Sequence, residues 1–411
     1  LSSAFSLLYR EKAVEETLWR DYDVTASLGG GLMEVRGLQR NEPFAILLCV
    51  RRSNATDPRY KVFAIAGLLN RLVAEISVVD YGKETQQVFE EATLAALNTE
   101  TAFWQFRLMD VPPLNALYHI ASHSRRSDLP SWVPDWSDTE SIIPCLSRIY
   151  RWNAAANSRP SFQSIAGESS LLLQGRIASS VSKTFKVDVG YRMQLDKALP
   201  EDIVEHHERP KLIYTLEYIS IFRNWASEAL LLPHLSEPLG LRDAAISILL
   251  SFWDNPTMRQ DSNEEISRYC TAFVKWLNFL TLPTEPILEH LGIPEQRTGN
   301  ANTDLLVFLL ASFQKYCRER NERDMQVSMQ QTLEFFSDYT LFITDDGHTG
   351  AAFNAVEKGD QIVIFSGSQL PFIARRNEDE TYRLFAPAFV WGYMGGEKWN
   401  EEFPLRELVI K

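Results

Sequence analysis

The chain has 411 residues, room for two or three domains with buried cores, and its 45% hydrophobic and 23% charged residues are ordinary for a globular protein. A formal net charge of −13 repels phosphate backbones, so nucleic acid is not an expected partner. The three short basic pairs, Arg51-Arg52, Arg125-Arg126 and Arg375-Arg376, all have acids near them in sequence.

Cys49, Cys145, Cys270 and Cys317 lie far apart and match no metal-ligand spacing. That usage suits free thiols in a reducing compartment, and the expected location is cytoplasmic. Asn54-Ala55-Thr56 fits a glycosylation acceptor but abuts a helix start, so it reads as chance. The most apolar run, "AAISILLSFW" from Ala244, is shorter than the ~20 residues a bilayer needs, and no membrane span is expected. The chain opens on Leu1 rather than Met, which points to a fragment or a processed product.

Residues 1–137 read as a helical region that ends in the segment PSWVPDW, with Gly29–Gly31 breaking its first part. Asp57 is placed to cap a helix, with Pro58 at its first position and Val62, Ile65, Ala66 and Leu69 on one apolar face. Gly67 marks the end of that helix. Ile76, Val78 and Val79 form an extended entry to a second helix whose face is Val88, Phe89, Ala92, Ala95 and Ala96. A third helix is predicted over Pro113–Ser122, with Leu114, Leu117, Tyr118 and Ala121 inward. In "LPSWVPDWSD", Pro130 and Pro134 forbid a regular helix, and Trp132 and Trp136 anchor an extended segment.

Residues 138–189 follow as an irregular connector carrying a strand over 170–185. Residues 190–336 form a variable helical region with joints near Pro283 and Pro294. The period then switches to two, and residues 337–400 predict five or six strands, with Asp346-Gly347 as a hairpin turn. The strand at 170–185 is a candidate to join them. The expected fold class is α+β, a mainly helical body with a small antiparallel, β-rich, barrel-like C-terminal unit.

Chemistry-bearing residues do not assemble into a site on this reading. His119 and His123 have the spacing of a helical zinc pair, but Ile120 stands where a zincin carries its Glu and no third ligand is evident. His206-His207, beside Glu205 and Glu208, reads as a solvated face. His348 with Asp345 and Asp346 reads as a polar turn, and Gly367-Ser368 as part of a hairpin. There is no G-x-S-x-G elbow and no phosphate loop, so no catalytic residue, metal or cofactor is expected. The rival reading is a hydrolase-type enzyme between the helical part and the β unit, using His119 or His123 with Asp135, or His348 with Asp345. A third reading is a β unit that binds a small ligand or peptide at its open edge.

Five segments occur in order: "ATDPRYKVFAIAGLL", "VVDYGKETQQVFEEATLAAL", "LPSWVPDWSD", "LLLQGRIASSV" and "GDQIVIFSGSQLPFIARRNEDETYRLFAPAFVWGYMGGE". Together they resemble the region that follows the signalling module in fungal heterokaryon-incompatibility (HET-domain) proteins. The resemblance runs from about Leu48 to Trp399, with Lys186–Ser337 a variable helical filler. The positions that carry it are Asp57, Pro58, Arg59, Lys61, Asp80, Tyr81, Trp132, Pro134, Asp135, Trp136, Gly359, Asp360, Pro371, Phe372, Tyr382, Gly392 and Gly396. Tyr60 stands where the family often has an acid, and Glu84 where it has a helix-capping Ser. The resemblance implies a non-catalytic regulatory or interaction portion with a role in self/non-self recognition and programmed cell death. It further implies protein partners or an upstream signalling module, to which Arg59 and Lys61 are candidates to salt-bridge. Trp132, Trp136, Pro371, Phe372 and Trp391 are the expected anchors of its two characteristic segments.

Overall fold

The computed structural model describes residues 47, 51, 54–64, 79–106, 113–122, 124–139, 152–186, 188–199, 201, 206–233, 235, 240, 243–245, 271–272, 274–278, 301–319, 338–353 and 356–411. The Gly29–Gly31 break, Ile65 to Leu69, Ile76, Val78, His123, Cys49, Cys145, Cys270 and the joints at Pro283 and Pro294 lie outside them.

In chain order the elements are α1 (Thr85–Phe106), a 3-10 turn (Asn115–His119), β1 (Phe162–Ser164), β2 (Leu171–Phe185), α2 (Val189–Ala198), α3 (Arg209–Ala229), α4 (Ala301–Glu319), β3 (Tyr339–Thr344), β4 (Thr349–Phe353), β5 (Gln361–Phe365), β6 (Phe372–Arg376), β7 (Tyr382–Val390) and β8 (Leu405–Ile410). The fold is α+β, as the sequence pattern predicts. Its residues form two compact units, Leu1–Ser180 with Gly359–Lys411, and Val181–Lys358.

The first unit is built on a closed ring of strands. β2 pairs antiparallel with β5 and, along Leu171–Arg176, with β8. β5 pairs with β6 and β6 with β7, again antiparallel. β7 then meets β8 in parallel at a single position, Tyr382 opposite Ile410. The circuit β2–β5–β6–β7–β8 therefore returns to β2, closed at its last joint by that one rung. The predicted strand at 170–185 is what joins the ring, and β8 lies beyond the 337–400 boundary expected for the β unit.

Burial follows from closure. Leu171 and Leu173 alternate inward on β2, and Ile362 to Phe365 are all buried. At Gly175, where β2 serves both β8 and β5, a Cβ would stand 2.8 Å from the Ile364 carbonyl oxygen and 2.9 Å from the Phe365 ring. Only glycine permits so close an approach at that corner.

α1 presents the expected face: Val88, Phe89, Ala92, Ala95 and Ala96 are all buried. The predicted Pro113–Ser122 helix is instead the five-residue 3-10 turn. Leu114 enters it in the left-handed region, φ 62°, and Ile120 caps it, so no α-helical ladder can propagate through the entry. Its inward residues still hold, since Leu114, Leu117, Tyr118 and Ala121 are buried.

In the second unit, Val181–Phe185 of β2 pairs with β3, and β3 with β4. Their hairpin turns at Asp346-Gly347, with Gly347 at φ 80° and the Thr344 N–H donating to the His348 carbonyl. On α3, Phe222 packs edge-on against Trp225 and Trp276, and the Trp225 indole donates to Thr349 Oγ1 at 2.7 Å.

Candidate functional site

The segment Leu129–Asp138 is a strap tied into the first unit at both tryptophans. Trp132 and Trp136 are each 1% exposed. The Trp132 indole donates to the Ser169 carbonyl at 3.3 Å, and that of Trp136 to Thr93 Oγ1 on α1 at 3.2 Å. Pro130 and Pro134 are buried, and the strap is not the extended segment expected: it turns twice, with the Val133 N–H donating to the Pro130 carbonyl and the Asp138 N–H to that of Asp135. Ser131 then links it to the ring: its N–H and hydroxyl both donate to the Lys411 carbonyl, and its Oγ accepts the Leu384 N–H at 2.9 Å. Those bonds fall beside the single rung that joins β7 to β8. A serine hydroxyl thus supplies pairing that the parallel ladder lacks.

A strap of this kind leaves buried carbonyls that no strand satisfies, and cationic side chains fill the gap. Arg51, 1% exposed, donates through Nε to the Asp138 carbonyl and through Nη1 to that of His119. Its guanidinium carbon lies 5.9 Å from the centre of the Trp136 ring. Lys61 Nζ donates to the carbonyls of Arg51 and Ser137 at 2.8 and 2.9 Å. Arg125 reaches four carbonyls, those of Ile120, Leu129, Pro130 and Val133.

Burial makes these charges costly. It lowers the Arg51 pKa to about 10 and that of Arg125 to about 10, and depresses Lys61, while Asp135 and Asp138 work against it. Asp135 is itself 1% exposed and locked: Oδ2 accepts the Arg126 N–H, and Oδ1 accepts the Ser137 N–H and hydroxyl.

His119 is fully buried beside this cluster, and burial, then the Arg51 charge, hold its pKa well below the usual imidazole value. In the folded chain it stays neutral, whereas the unfolded chain takes up a proton below about pH 6.5. Stability linked to this residue is therefore complete above that pH and is lost as pH falls through it, at up to about 1.4 kcal/mol per pH unit. Urea midpoints measured from pH 7.5 to 5 should show this slope, and His119→Gln should flatten it. An unchanged slope in the variant would exclude His119 as its source.

The motif at Asp57 builds a separate frame. Asp57 Oδ1 accepts the Arg59 N–H at 2.9 Å and both its oxygens grip the Arg59 guanidinium. This ion pair holds Asp57 below the ordinary carboxyl range, through the Arg59 hydrogen bond first. The free edge of Arg59 donates to the carbonyls of Tyr81 and Lys83 at 2.9 and 2.7 Å. Asp80 fixes the same turn by accepting the Gly82 N–H. Arg59 and Lys61, the candidates for bridging to another module, thus find partners within this chain. The frame presents Tyr81 at 61% and Tyr60 at 45% exposure, in edge-to-face contact with each other, and Phe63 also packs edge-on to Tyr81.

The remaining motif positions are ring supports. Phe372 stacks on Tyr118 at 5.4 Å, and the Tyr118 hydroxyl accepts the Gln369 N–H. The Pro371 carbonyl accepts the Ala388 N–H, and that of Tyr382 the Lys411 N–H. Asp360, 2% exposed, binds Arg375 through two bonds. Gly359, Gly392 and Gly396 all take left-handed φ.

The residues of the enzymatic reading fall elsewhere. Asp135 is engaged as described, His119 is enclosed, and His123 lies outside the described residues. His348 lies 3.7 Å from Asp346 within the β3–β4 turn, whose Thr344 hydroxyl ties the two together. His206 and His207 are exposed. Among the described residues no group of His, Cys, Asp and Glu could hold a metal, and no helix is long and apolar enough to cross a membrane. In the second unit a cavity of about 680 Å³ is lined by Arg192, Met193, Asp196, His206, Arg209, Pro210, Ile213 and Tyr214. Its two arginines already hold carboxylates, Arg192 that of Glu217 and Arg209 that of Asp196.

Sequence reading missed the roles of Arg51, Arg125 and Ser131. The signal for the two arginines was present as basic pairs, but their function depends on which carbonyls the strap leaves unpaired.

Residues 320–403 match the family described as the Het-6 beta-barrel domain. The chain therefore carries, toward its C-terminal side, a domain associated with fungal heterokaryon-incompatibility proteins. The match takes in β3 to β7, while β2 and β8, which close the ring, lie outside it. No curated protein and no solved structure gives a significant match.

Proposed function

We propose that this chain is the non-catalytic interaction portion of a heterokaryon-incompatibility-like protein, acting through protein partners in self/non-self recognition and programmed cell death. The barrel-domain match supports the setting. The observation that carries the interaction role is the contrast among the motif residues. Trp132, Trp136, Asp135, Asp360 and Phe372 are buried and bonded within the unit, whereas Tyr81, whose carbonyl Arg59 binds, and the neighbouring Tyr60 present large aromatic surface to solvent. Exposed tyrosines bind partners at little entropic cost, and aromatic residues dominate interface hot spots.

The test is a Tyr60→Ser, Tyr81→Ser double variant of the full-length protein, expressed in a fungal strain that mounts an incompatibility reaction. The expected result is loss of the cell-death response with a thermal midpoint close to that of the unaltered protein, because neither side chain is in a core. A variant that kills as well as the original would rule this surface out.

A further inference from the structure

Strands β6 and β7 place Arg375 and Arg383 directly opposite one another. Like charges in register repel, and such a pair persists in a sheet only where other contacts offset it. Phe385, two residues past Arg383 at a bulge of β7, provides one. Its ring centre lies 4.4 Å from the Arg375 guanidinium carbon and 5.3 Å from that of Arg383. Asp360 provides the other, but only to Arg375, with Nε donating to Oδ1 at 2.6 Å and Nη2 to Oδ2 at 2.9 Å.

Arg383 has no such acid. It is exposed, and among the described residues no carboxylate is bonded to it. Its charge instead acts on Arg125, another cation. Asp135, the acid that compensates Arg125, is already held by Arg126 and Ser137. In a chain with 54 acidic and 41 basic residues, Arg383 is thus an exposed guanidinium bonded to no carboxylate among the described residues, while its neighbour Arg375 has one.

We propose that Arg383, supported by Arg375 and Phe385, binds a side-chain carboxylate of an acidic peptide. The Asp360–Arg375 pair shows the mode in place beside the same ring: a planar carboxylate taken through two parallel bonds. A guanidinium lying against an aromatic ring keeps its in-plane N–H donors for a second carboxylate of that kind. Binding would also relieve the Arg375–Arg383 and Arg125–Arg383 repulsions, which a neutral ligand would leave. The site is independent of the Tyr60–Tyr81 surface and stands whatever that surface binds.

The experiment is a fluorescence-anisotropy titration of the full chain with a labelled hexaglutamate peptide at low ionic strength, with inorganic phosphate as competitor. The net charge of the chain opposes this peptide, so saturable binding reports a local site. Binding is expected to weaken with salt. Arg383→Gln should weaken it by at least about tenfold, with Arg383→Lys intermediate because it keeps the charge and loses the fork. Arg376→Gln, at an exposed residue paired with Glu380, should leave it unchanged, and matching thermal midpoints establish that all variants fold. The proposal is overturned if the unaltered chain does not bind, if Arg383→Gln binds equally well, or if phosphate displaces the peptide charge for charge, which would make the site a general oxyanion site.

Discussion

Trp136→Ala is expected to lower the unfolding free energy of the first unit by about 3–5 kcal/mol, a large share of what a domain possesses. The ring is 1% exposed, so its removal leaves a cavity bounded by α1 and the strap. It also severs a relay. The Trp136 indole donates to Thr93 Oγ1, which itself donates to the Phe89 carbonyl one turn back on α1. Arg51 loses the ring beneath its guanidinium at the same time. Trp136→Phe keeps most of the volume and removes only the indole bond, at an expected cost of about 1–2 kcal/mol. Urea unfolding followed by circular dichroism separates the cases. A Trp136→Ala midpoint within error of the original would refute the view of the strap as a structural tie.

The second large effect is expected at Asp135. It is an enclosed carboxylate whose charge offsets Arg51, Lys61 and Arg125. Removing one partner from a buried charged group leaves the others uncompensated, which costs about 3–5 kcal/mol. Asp135→Ala should reach that range, because it also strips the acceptor from the Arg126 and Ser137 N–H groups. Asp135→Asn keeps an acceptor and loses the charge, so the gap between the two variants separates hydrogen bonding from charge. Added salt should recover little of the Asp135→Asn deficit, since buried charges are poorly screened. Full recovery in high salt would place the interaction at the surface instead.

Much of the fold was legible because it is written locally. The α1 face repeats at helical spacing, β2 alternates, and Trp132 and Trp136 beside prolines announce an anchored segment, though one that turns twice rather than running extended. What stayed hidden depends on distant pairing. β8 is short and exposes Leu405, Arg406 and Glu407, with Leu408 and Ile410 buried, too little alternation to mark it as the strand that closes a ring. The 3-10 turn carries a helical apolar pattern, and the left-handed Leu114 that denies it an α-helix has no signature in a leucine. The candidate site divided in the same way. Asp57 read correctly as a helix cap because its bond to the Arg59 N–H is two residues away, whereas Arg51 meets Asp138 and His119 across long stretches of chain.

Ser180 and Gln361 face each other across β2 and β5, and between them in sequence lies the whole second unit. The chain thus leaves the ring and returns to it at neighbouring rungs. Because both ends are already pinned together, lengthening or replacing the intervening stretch adds only a slowly growing closure entropy. Changes of length between β2 and β3 therefore cost the ring little, whereas β3 and β4 belong to the matched 320–403 domain and pair on from β2. The pairing of β2 and β5 is the clasp that holds the two ends of that stretch together.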